Sequence, residues 1–151
     1  MKVPAWLISI TDTLYAAVGE FEMVHVLPDN PVLFNVPKAP HYCQQVFVWQ
    51  NKIIPIMNLA ARFGYEEKLT ISEHFIVSIF AYRAEKTGLI EYGALFLTTT
   101  PRRIEVSDDQ ACPLPPDLVA WTRYVNCCFR ETESQPVIPI LKLERLFASQ
   151  D

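Results

Sequence analysis

An all-β fold of two small barrels sharing one core is the architecture this sequence predicts, and three observations predict it. Short β-branched and aromatic runs separated by turn residues recur along most of the chain. Segments with a helical period are few and about one turn long. A ten-residue pattern occurs twice: Ile54-Pro55-Ile56-Met57-Asn58-Leu59-Ala60-Ala61-Arg62-Phe63 matches Ile138-Pro139-Ile140-Leu141-Lys142-Leu143-Glu144-Arg145-Leu146-Phe147. Each copy reads as a strand running into one turn of helix, with a Leu and a Phe placed to plug an apolar interior. Two barrels, each capped by its own short helix, satisfy that repeat. A chance likeness between two apolar strands is the competing reading.

The elements follow in order. Trp6–Ile10, Leu14–Val18 and Glu22–Val26 are β-rich pieces divided by Thr11-Asp12-Thr13 and Gly19-Glu20. Asp29-Asn30-Pro31 marks a turn, and Pro37 and Pro40 impose an extended approach to the next strand. Tyr42–Trp49 and Lys52–Met57 form a hairpin through Gln50-Asn51, since Asn tolerates the left-handed backbone of a tight turn. Pro55 argues for an edge position or a bulge. Asn58 is an N-cap, Leu59–Phe63 a short helix and Gly64 its terminator. After the polar stretch 65–70 come strands at Phe75–Tyr82, Leu89–Thr100 and Arg102–Val106. Cys112-Pro113-Leu114-Pro115-Pro116 is a rigid extended connection. Tyr124–Arg130 and Pro136–Leu141 form a last pair, followed by a helix at Leu143–Phe147.

With 151 residues, the chain reads as one domain over 1–151. Half the residues are hydrophobic and 20% charged, which excludes intrinsic disorder. Glycine numbers only 4 against 12 prolines, leaving few sites for phosphate-cradling loops. Thirteen basic and 17 acidic residues give a net charge of −4, against a nucleic-acid partner. The first apolar run, Val3–Ile10, contains Pro4 and is too short for a signal-peptide core, and no run reaches the ~18 residues of a membrane span. A soluble, cytoplasmic protein without membrane insertion is the expectation. Cys43, Cys112, Cys127 and Cys128 contain no C-x-x-C pair and are expected to be free thiols.

Val36-Pro37-Lys38-Ala39-Pro40, Val46, Lys52-Ile53-Ile54-Pro55-Ile56-Met57-Asn58-Leu59 and Arg62-Phe63-Gly64 together resemble the central signature of the CheW-like domain. That signature is a proline-bounded approach, a strand, an N-L-R-G turn, a strand ending in P-V-x-D-L and a short helix ending in R-F-G. Pro136-Val137-Ile138-Pro139-Ile140-Leu141 and Leu143–Phe147 resemble the family's closing strand and helix. The resemblance implies two intertwined, SH3-like five-stranded barrels with no catalytic function. It implies an adaptor that couples chemoreceptors to a histidine kinase, in chemotaxis or type IV pilus motility. The implied contacts are a groove between the barrels for a methyl-accepting receptor and barrel ends for the kinase's CheW-like regulatory domain. Two departures stand out. Val48-Trp49-Gln50-Asn51 replaces N-L-R-G, so a planar cation is lost while the turn survives. Gln44-Gln45 stands where family members tend to carry K-G. Asn58 in place of Asp is mild, because both cap helices well.

The candidate partner-binding residues are Val46, Val48, Trp49, Gln50, Asn51, Lys52, Asn58 and Arg62. Trp49 at a hairpin tip could anchor an interface, where Trp is enriched at hot spots; alternatively it folds back onto the barrel wall. Arg62 faces the inter-barrel groove or complements its own helix dipole. Met57, Val46 and Val48 read as core before they read as contacts, since alternation points some of them inward. No cofactor or metal is expected. His25, His41 and His74 show no ligand spacing, His41-x-Cys43 offers only two ligands, and no G-x-S-x-G elbow places a nucleophile. A sensor binding a small molecule between the barrels is the alternative function.

Overall fold

The computed structural model describes residues 2–64 and 75–148. The stretch 65–70, with Glu66-Glu67-Lys68, and His74 lie outside the described residues. Two sheets carry the chain. The first runs in the order β10 (Ala111–Cys112), β11 (Val125–Phe129), β12 (Ile138–Leu141), β2 (Tyr15–Gly19), β1 (Lys2–Ser9), β9 (Arg102–Ser107). The second runs β3 (Met23–Val26), β7 (Ile76–Arg83), β8 (Ile90–Leu97), β6 (Lys52–Met57), β5 (Gln45–Trp49), β4 (Phe34–Asn35). Each sheet curls into a small barrel of five ordinary strands plus a two-residue strand, β10 or β4, too short to read from composition. Two one-turn helices, α1 (Leu59–Arg62) and α2 (Leu143–Leu146), follow β6 and β12. The segment Pro116–Tyr124, read from sequence as the end of an extended connection, an unassigned stretch 117–123 and the start of a strand, instead winds as kinked 3-10 helix and opens on a proline at its first turn.

The sequence repeat is a structural repeat. β6 pairs in parallel with β8 through Ile56 and Ala94, and β12 pairs in parallel with β2 through Ile140 and Ala17. The amide of Asn58 donates to the Tyr42 carbonyl at 2.8 Å, and the amide of Lys142 donates to the Tyr124 carbonyl at 2.7 Å. Pro55 does not mark an edge, because β6 lies between β5 and β8. It is tolerated because, opposite Val46, it occupies a slot that makes no hydrogen bond to β5, and pairing with β8 begins only at Ile56. Pro139 holds the equivalent place opposite Cys128, before β12 meets β2 at Ile140.

Each helix closes the other barrel rather than its own. Beyond α1, Phe63 stacks on Trp121 at 4.2 Å and meets Tyr124 at 5.7 Å, both in the segment that feeds β11. Beyond α2, Phe147 stacks on Tyr82 of β7 at 5.5 Å. Its ring also covers Gly93 of β8 so closely that a Cβ there would lie 2.6 Å from Cε1. Leu59 and Leu143 are fully buried in one cluster that joins Ile8 and Val18 of the first barrel to Phe80 and Leu95 of the second. Burying each such leucine contributes about 2 kcal/mol. Exchanging the helices makes the barrels a single packed unit.

Candidate functional site

The β5–β6 hairpin turns through Gln50 (φ 49°) and Asn51 (φ 64°). Two consecutive left-handed residues define a two-residue turn whose twist matches the strands, so a polar pair does the work of a glycine here. The turn fixes which side chains face out. Phe47, Ile54 and Ile56 point into the second barrel. Val46 and Val48 therefore sit on the outer face, which corrects their expected place in the core; Met57 is buried as expected. Val48 is 61% exposed and its cross-strand partner Ile53 is 72% exposed. Val46 lies beside Pro55 on one side and Phe34, 53% exposed, on the other. The result is an apolar stripe across β4, β5 and β6.

Trp49 is not a projecting tip. Its indole stacks with His25 at 6.2 Å and meets the edge of Tyr92 at 6.1 Å, flanking the barrel interior. The barrel-wall alternative describes it. Gln50, Asn51 and Lys52 are exposed, and Lys52 holds its Nζ 5.4 Å from the Tyr92 ring centre.

The remaining two candidates belong to α1, and Arg62 lines a cleft between the barrels that reaches the stripe at Pro55. Asn58 is the N-cap of α1: its Oδ1 accepts from the Ala61 amide at 3.1 Å. Arg62 is held between two tyrosines, its guanidinium 4.7 Å from the Tyr42 ring and 4.5 Å from the Tyr124 ring. Nη1 donates to the Leu146 carbonyl at 2.6 Å. Arg62 thus stands in the last turn of its own helix and also binds the C-terminus of α2. It lines a cleft of about 230 Å³ with Tyr42, Cys43, Met57 and Phe147. Burial pushes the Cys43 thiol up, and the Arg62 charge offsets part of that. Among the described residues, no group of three or more His, Cys, Asp or Glu could hold a metal. None of their helices is long and apolar enough to cross a membrane.

Phe34, Ile53, Tyr42 and Tyr124 escaped the sequence reading. Ile53 had a usable signal: once Phe47 is assigned inward, the Gln50-Asn51 turn sets Val48 and Ile53 outward together. The twin tyrosines had none, because the connection from β11 to β12, taken between the paired Phe129 and Ile138, is two residues longer than the one from β5 to β6 between the paired Phe47 and Ile54, which puts Tyr124 out of step with the ten-residue repeat.

Paired barrels, exchanged helices and a mid-chain hairpin are what a comparison with known proteins has to explain. The CheW-like domain profile matches residues 15–151. The chain belongs to the CheW-like domain family. Its fold is also that of the scaffolding protein TtCheW from Thermoanaerobacter tengcongensis, whose crystal structure aligns with a TM-score of 0.76. That alignment covers 99% of this chain and 94% of the other at 21% identity. No curated protein matches the sequence. The CheW-like assignment agrees with the two-barrel expectation and leaves the residues used for binding to be argued from this chain's own surface.

Proposed function

We propose that this chain is a non-catalytic coupling adaptor, bridging a histidine kinase's regulatory domain to a methyl-accepting chemoreceptor in chemotaxis or pilus-driven motility. Membership of the CheW-like family supports the adaptor role, and a scaffolding protein of the same fold is consistent with it. The observation that carries the reading is the outer stripe in which exposed Phe34, Val48 and Ile53 flank half-buried Val46. A water-facing strand surface with adjacent large apolar side chains suits burial against another protein. The kinase is assigned to this stripe, with Gln50, Asn51 and Lys52 at its polar rim. The receptor is assigned to the cleft at Arg62. Because Gln50 replaces the family's arginine, no bidentate contact to a partner carboxylate is available at the turn.

Isothermal titration of the purified chain with the regulatory domain of a kinase from the same organism tests the assignment. Saturable binding that is weakened by roughly tenfold or more in the Val48→Asp, Ile53→Asp double variant is expected, as for a hot-spot pair. Both side chains are exposed, so the melting temperature should hold. Unchanged affinity in that variant would remove the stripe from the interface, and no binding to any kinase or receptor of the host would remove the adaptor reading.

A further inference from the structure

The two barrels can be compared position by position, because the parallel pairs Ile140–Ala17 and Ile56–Ala94 fix one register for both. Two residues beyond Ala94, β8 carries Phe96; two beyond Ala17, β2 carries Gly19. Phe96 pairs across the ladder with Val77, and Gly19 with Ala5. Two residues before Val77 stands Phe75, and two before Ala5 stands Val3. In the second barrel, Phe75 and Phe96 meet edge to face at 4.7 Å and close that end of the interior. In the first, Val3 and Gly19 leave a hollow of about 250 Å³.

Val3, Ala5, Val106, Phe129, Ile140 and Cys127 line that hollow. No basic side chain lines it, and the exposed carboxylate at its rim is Asp108. From this geometry we infer that the mouth of the first barrel binds a small neutral aromatic molecule, which takes the place that two phenylalanine rings fill in the second. The size fits: a dry cavity of ~150 Å³ accommodates benzene, so this one takes a ring, or two fused rings, with a short substituent. Asp108 lines the rim and Lys2, opposite Ser107, stays outside the lining, so the hollow itself offers an anion no cation. Cys127, exposed at the opening, reports on occupancy without being needed for it.

The test uses the full chain, with indole as the neutral probe and benzoate as the anionic one. Methyl-resolved NMR titration with indole should give saturable shifts at Val3, Val106 and Ile140, with a dissociation constant on the order of 0.1–1 mM, as expected for so few heavy atoms. Benzoate should give none at matched concentration. Saturating indole should slow alkylation of Cys127, read by peptide mass spectrometry, and leave the rate at Cys43 unchanged. Val3→Phe and Gly19→Phe each return a ring to the hollow and should abolish the indole shifts. Gly19→Phe displaces the Glu22 carboxylate, 3.0 Å from the new Cβ, so Val3→Phe at an exposed position is the variant certain to be judged in a folded protein. Absence of saturable shifts, shifts clustered elsewhere, or full binding by folded Val3→Phe would overturn the inference.

Discussion

Where the second barrel stacks Phe75 against Phe96, the first has Val3 and Gly19 and a hollow; where the first barrel buries Cys128 and Pro139, the second leaves Val46 and Pro55 half-covered. The backbone plan is the same in both, down to the parallel pairing and the proline before it. Duplication therefore supplies two copies of a scaffold whose insides and outsides can be filled independently. One copy has a complete interior and an uncovered outer face, suited to a protein. The other has a covered outer strand pair and an incomplete interior, suited to a small ligand.

The largest effect that sharpens this contrast concerns the two tryptophans. Trp121, 1% exposed and stacked on Phe63, joins the barrels, whereas Trp49 lies half-buried on one flank. Urea unfolding should show Trp121→Ala costing ~3–5 kcal/mol, the range for a fully buried aromatic, and Trp49→Ala clearly less. Equal costs would show that the shared core is no more critical than one barrel's rim.

Arg62 comes next. Its two tyrosine faces and its bond to the Leu146 carbonyl tie α1 to α2 across the cleft. Arg62→Ala should lose about 2 kcal/mol, from cation–π contacts and one charged hydrogen bond. Arg62→Lys should recover little, because an ammonium cannot lie flat between two rings while donating sideways. Recovery by lysine would mean that charge alone holds the helices together.

The helix caps separate the repeats by a smaller margin. Asn58 caps α1 with its side chain, while Lys142, at the same place before α2, makes no such bond. Thermal unfolding should therefore find Asn58→Ala destabilised by ~1 kcal/mol and Lys142→Asn stabilised by ~0.5–1 kcal/mol. A loss at both sites would break the equivalence of the two turns.

The smallest effect depends on pH. Burial raises the Glu22 carboxyl above its usual range; the Gly19 amide, donating to its Oε1 at 2.7 Å, opposes that rise, and Glu144 adds to it. A raised folded pKa contributes stability below the unfolded value, about pH 4, that is lost as pH rises through the folded value. Glu22→Gln keeps an acceptor for Gly19 and removes the buried charge. It should melt slightly higher at pH 7, with the difference fading toward about pH 4. A difference that grows on acidification would contradict the sign.

Much of this was legible in the sequence wherever one residue type has one local use. Asn51 in a two-residue turn, Asn58 as a cap and Gly64 at φ 84° ending a helix are such positions, and the strand Lys52–Met57 emerged with its bounds intact. The outer stripe was not, because Val46, Phe47 and Val48 are all apolar and offer no alternation to read. A shift of one residue then inverts the whole strand, as it did for the two valines. The exchange of helices carries no local signature either. Arg62 finds its carbonyl 84 residues away, and only the assembled topology brings the two together.

Hydrogen–deuterium exchange of the chain with and without the kinase's regulatory domain tests the adaptor assignment most directly. Protection confined to β4, β5 and β6, with β10 and β11 at the hollow barrel unchanged, is the predicted result. Protection centred on β10 and β11, or no change anywhere at saturating kinase domain, would contradict it.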